Sequence, residues 1–165
     1  MTLSDTINAT RRNHALEHGA VTVLLERHGF GRSLAGRSNA HGFYIHGSVE
    51  TEELRSAVNE ALTRLQGGEA TLAVSTFCGT TIAVTGMLAG IATLALAGGV
   101  SKDRWSKLPT VLLGGMVAVI AGQPLGRVAQ KYVTTSPDVA RLRVDSISKK
   151  GWGPFRAHWV ATSWG

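Results

Sequence analysis

At 165 residues, the chain has room for one modest soluble domain and a small membrane insertion, and no more. Its formal charge is +6, but the Lys and Arg residues are scattered, so the charge reads as membrane orientation and headgroup contact, not nucleic-acid binding. The single cysteine, Cys78, excludes an intrachain disulfide.

From the N-terminus, Ile7 to His28 is predicted as a helix stopped by Gly29 and Gly31. Charged and polar residues from Arg11 to His18 interrupt its apolar run, so no secretory signal is expected here. Arg11-Arg12 is not a twin-Arg signal, because no apolar h-region follows. Ser33 to Ser38 and Gly42 to Ser48 are predicted as two strands joined by a turn at Asn39-Ala40-His41. Glu50 to Gln66 is an amphipathic helix, with Leu54, Val58, Ala61, Leu62 and Leu65 on one face. Ser48 is its expected N-cap, and Gly67-Gly68 its stop. Thr71 to Thr76 alternates and is predicted as a third strand.

Two stretches without Asp, Glu, Lys or Arg follow, Ala70 to Ser101 and Leu108 to Gly126. A helix needs ~20 mostly apolar residues to cross a bilayer. The reading is a transmembrane hairpin over residues 78–127, with spans at about 80–100 and 108–126. Trp105 in the basic loop between them is an expected interface anchor. The basic cluster after the second span, from Arg127 to Lys150, favours both termini in the cytoplasm and a place in the inner membrane. Neither span holds an ionisable residue, which argues against ion or proton conduction. Gly86 and Gly90 form a G-x-x-x-G pair, and Gly114, Ala118, Gly122 and Gly126 a second small-residue row. Such rows let helices approach closely, here either span against span or, less favoured, as a homodimer.

After the hairpin, Arg141 to Ser148 and Phe155 to Ser163 are predicted as strands. The expected fold class is therefore α+β. A small α-β-β-α-β domain, begun by residues 1–77, is completed by strands in residues 128–165, with the hairpin inserted between.

One constellation carries chemistry. His14-Ala15-Leu16-Glu17-His18 matches H-x-x-E-H, the zinc motif of the inverzincin metallopeptidases. On a helix, His14 and His18 lie one turn apart and can reach one metal, with Glu17 beside them as a candidate general base. Ile7, His14, His18, Val21 and Leu25 share a narrow arc, so these polar groups sit on the stripe the helix should bury. Burying imidazole and carboxylate without partners costs several kcal/mol. A metal such as zinc, or a hydrogen-bond network of His, Glu and Arg11, would satisfy them, unless this face of the helix lies at the surface. A metal needs a third ligand, for which His41, His46, Cys78, Glu50, Glu53, Glu60, Glu69 and Asp145 are the candidates. Cys78 reads more readily as a small buried residue than as a ligand.

The run from Arg12 to His18 resembles a family of small bacterial membrane proteins carrying a domain of unknown function. Similar too are Leu72-Ala73-Val74 with Cys78-Gly79-Thr80, the span around Thr85 to Gly90, and Gln123-Pro124-Leu125-Gly126 with Val133-Thr134-Thr135. The resemblance reaches to about Val144 and implies architecture, not an activity. Ser75 stands where that family often has a histidine, three residues before the cysteine. The expected function is a membrane protein with a metal-binding helix, or else a non-catalytic subunit of a membrane complex. Expected partners are the lipid bilayer and membrane proteins or a second copy.

Overall fold

The computed structural model describes the chain except residues 30–32, 76–77, 98–105 and 152–155. Trp105, Trp152 and Phe155 therefore lie outside the described residues, as does most of the loop between the spans. The chain divides into two units, Met1–Ser75 with Lys131–Gly165, and Thr76–Gln130.

The first unit opens with α1, Leu3–His28. It starts earlier than apolar periodicity suggests, because Thr2 and Asp5 form a capping box. The Asp5 amide donates to Thr2 Oγ1 at 3.2 Å, and the Thr2 amide to Asp5 Oδ2 at 2.8 Å. Gly29 ends the helix at φ 71°. The hairpin of β1 (Ala35–Asn39) and β2 (Gly42–His46) follows, then α2, Thr51–Gln66. The N-cap of α2 is Glu50, which makes no side-chain capping bond, and not Ser48 as the sequence suggested.

The third strand expected at Thr71 to Thr76 does not form over Thr71 to Ser75, and Thr76 lies outside the described residues. Ala70–Ala73 is a 3-10 helix instead, which buries Leu72 and Ala73. Arg64 of α2 fixes its approach by binding Glu69 at 2.7 Å while also holding Glu26 of α1 at 2.7 Å. The alternation of Leu72 and Val74 was real, but no sheet edge takes up this segment.

The sheet is completed by β3 (Leu142–Lys150) and β4 (Ala157–Trp164). Its order is β1-β2-β4-β3, antiparallel throughout. The tail thus closes an α+β fold, as the sequence indicated. Leu16, Leu24, Phe43, Ile45, Leu54 and Val160 fill the core between the two helices and one sheet face. Full burial of such side chains is worth ~1.5–3 kcal/mol each.

The second unit holds α3, Gly79–Ala97, and α4, Leu108–Ala129. Both helices are long and apolar enough to cross a membrane. The small-residue row of α4 serves their mutual packing. A Cβ on Gly122 would stand 2.8 Å from Thr85 Cα, and one on Gly126 2.7 Å from Thr81 Cα. Pro124 does not break α4, which continues to Ala129. A π-helical turn, Gln130–Thr134, then leads back into the first unit.

Candidate metal site on the first helix

His14 and His18 stand one turn apart on α1, with ring centroids 4.3 Å apart and the rings edge to face. His18 is buried and His14 half-buried. Each ring has its Nδ1 on a backbone carbonyl. His14 Nδ1 is 3.0 Å from Thr134 O, and His18 Nδ1 is 2.9 Å from Ala73 O. A carbonyl can only accept, so each ring carries hydrogen on Nδ1 and, when neutral, its lone pair on Nε2. Both acceptors end helical turns, Ala73 the 3-10 helix and Thr134 the π-helical turn. Carbonyls at helix ends commonly accept from side chains.

Glu17 is buried as well, but it faces β1. Its Oε2 accepts the Ser38 hydroxyl at 2.5 Å, and its carboxylate lies against Gly36. Arg11 lends its guanidinium to the chain end of the π-helical turn rather than to the imidazoles. Its Nη2 donates to Tyr132 O at 3.0 Å and to Thr135 O at 3.1 Å.

The third-ligand candidates of the first unit have partners of their own. Glu50 pairs with Lys149 at 3.3 Å, and Glu53 with His28. Glu60 binds Arg27 at 2.5 Å, which holds its carboxyl below the usual range. Glu69 is held low by Arg64 in the same way. Asp145 accepts the Ser163 hydroxyl at 2.6 Å. His41 sits exposed in the β1–β2 turn, and His46 is exposed beside Tyr44. Cys78 belongs to the second unit, buried just before α3, with its Sγ 3.4 Å from the Thr80 amide.

Sequence reasoning missed the carbonyls of Ala73 and Thr134, since backbone acceptors leave no trace in residue identity. It also missed Ser38 and Gly36. A glycine inside a strand is a sign of close approach, and Gly36 was the available signal.

Residues 9–147 match DUF6391, described as a domain of unknown function. The chain belongs to that family. The match spans α1 with His14, Glu17 and His18, both apolar helices, and β3 as far as Ile147. The chain is also similar to an uncharacterised protein of Picosynechococcus sp., 38% identical over 169 residues, covering 93% of this chain and 79% of that protein. No solved structure matches.

Proposed function

We propose that this protein is anchored in the bacterial inner membrane by α3 and α4, both termini cytoplasmic, and holds a metal ion, zinc by donor chemistry, on α1. The observation that carries the reading is the pair of imidazoles. Each has its Nδ1 on a backbone carbonyl, the arrangement that orients metal-ligating histidines. Cys78 is a sequence candidate for the third ligand. The acidic candidates are engaged elsewhere, and four residues of chain separate Cys78 from Ala73, whose carbonyl accepts from His18. Imidazole and thiolate are donor types that suit zinc. A fourth, open position would support metal-assisted hydrolysis, with Glu17 taking the proton only once it leaves the Ser38 hydroxyl.

Elemental mass spectrometry of the detergent-purified chain, prepared without chelator or His-tag, tests this. Near-stoichiometric zinc is expected, lost in His14→Ala and His18→Ala and kept in Glu17→Gln; Cys78→Ala tests whether the thiol is the third ligand. Circular dichroism of each variant checks that loss of metal is not loss of fold. A wild type free of metal overturns the reading.

A second reading, a non-catalytic subunit of a membrane complex, is favoured by the Glu17–Ser38 bond and the two His–carbonyl bonds. These satisfy much of the cluster without an ion. It predicts a metal-free wild type and stable partners at fixed ratio.

A further inference from the structure

Arg11 stands three residues before His14, so the two side chains leave neighbouring positions on one side of α1. Both reach the same short stretch of chain, the π-helical turn Gln130–Thr134 and the residues just after it. The C-terminal end of a helix carries partial negative charge, which favours a cation there. Arg11 Nη2 donates to Tyr132 O at 3.0 Å and to Thr135 O at 3.1 Å. Between those two residues stands Thr134, whose carbonyl accepts from His14 Nδ1 at 3.0 Å. The Ser136 amide donates back to Arg11 O at 3.1 Å. One residue of α1 thus grips the chain before and after the carbonyl that His14 uses. All of these residues belong to the first unit.

His18 provides the contrast within the same helix. Its Nδ1 is 2.9 Å from Ala73 O, in the 3-10 helix whose approach Arg64 fixes through Glu69. The two rings therefore take their orientation from two separate pieces of backbone. A different arginine steadies each piece.

We propose that Arg11 is a positioning residue for His14. It acts through the backbone: the guanidinium fixes the Thr134 carbonyl, and the carbonyl fixes the tautomer and plane of the ring. The consequence for metal rests on the metal reading above, since partners that orient a ligating histidine are worth about 10–100-fold in metal affinity. The hold on the tautomer stands without a metal. A lysine at position 11 would keep the charge but lose the planar, pre-organised guanidinium.

The full chain in detergent micelles, stripped of metal and labelled with 15N-histidine, gives a direct readout by NMR. At pH 8.5 an ordinary imidazole is neutral. The nitrogen shifts of each ring then show which nitrogen carries hydrogen. His14→Gln and His18→Gln assign the signals. Wild type should show hydrogen on Nδ1 of both rings. In Arg11→Met, His14 should exchange between its two tautomers while His18 stays as in wild type. Arg11→Lys should restore part of the His14 signal. If Arg11→Met does not fold, Arg11→Gln, whose amide can still donate, is read the same way. Competition with a chromophoric chelator should then show zinc bound about 10–100-fold more weakly by Arg11→Met than by wild type. If wild type takes up no zinc, the metal reading falls and the tautomer comparison still decides the role of Arg11. A His14 ring that keeps Nδ1 hydrogen in Arg11→Met overturns the proposal. So does an equal change in both rings, which would report a general loosening of the domain. Where wild type binds zinc, unchanged affinity in Arg11→Met overturns it as well.

Discussion

The carboxylate of Glu17 occupies the space that a side chain at position 36 would need. A Cβ on Gly36 would stand 2.6 Å from Glu17 Cγ and closer still to the carboxylate. The glycine lets α1 lay an acidic side chain flat on β1, where Ser38 then donates to it. Gly36→Ala should therefore cost ~1–3 kcal/mol, the usual penalty of overpacking. The chemical-denaturation midpoint of the purified chain would show it. The loss should be smaller when Glu17→Ala is already present, because the clash is then gone, and such coupling is what a double-mutant cycle reads. Additive losses would mean that the two residues do not share the space.

The α+β class, the order of its helices and four of its strands were legible because their patterns are local. The amphipathic stripe of α2 and the alternation in β2 and β4 need no knowledge of partners. The 3-10 helix at Ala70–Ala73 was not legible, because alternation in Leu72 and Val74 cannot say whether a sheet edge is free to receive them. The start of α1 was missed for another reason: its signal is a cap, Thr2 with Asp5, and not periodicity. At the site, the helical spacing of His14, Glu17 and His18 was plain. What each one touches depended on two carbonyls and a strand glycine brought there by the fold.

The two glycine rows of the apolar helices should respond in opposite ways. Gly122 and Gly126 have α3 backbone against them, at 2.8 and 2.7 Å from the position of an added Cβ. Backbone cannot yield as a flexible side chain can. Gly126→Leu should separate the helices and lower the melting temperature of the detergent-solubilised chain by several degrees. Gly86 and Gly90 have no atom within 4 Å of an added Cβ. Gly90→Leu should leave the melting temperature unchanged or slightly raised, since leucine is also the better helix former. Close packing in lipid depends on small residues at the contact. An equal loss from both substitutions would contradict the assignment of the α4 row to the α3–α4 contact.

His158 gives the domain an acid-sensitive point outside the candidate site. It is 3% exposed, with Nε2 3.1 Å from Thr51 Oγ1 at the start of α2. Among the described residues its buried Nδ1 has no hydrogen-bond partner. Burial lowers its pKa first, Lys149 lowers it further, and Glu50 opposes them. The native state therefore favours the neutral ring. The unfolded chain titrates near the ordinary value of ~6.5. Below that pH the unfolded state binds the extra proton, so stability falls with pH until the native pKa is passed. Above ~6.5 the group contributes no slope. Replacing it by His158→Leu removes the titration and leaves the Thr51 hydroxyl facing an apolar side chain. Wild type should lose more of its urea midpoint between pH 7.5 and pH 5.5 than His158→Leu does. The same drop in both proteins would place the acid sensitivity elsewhere.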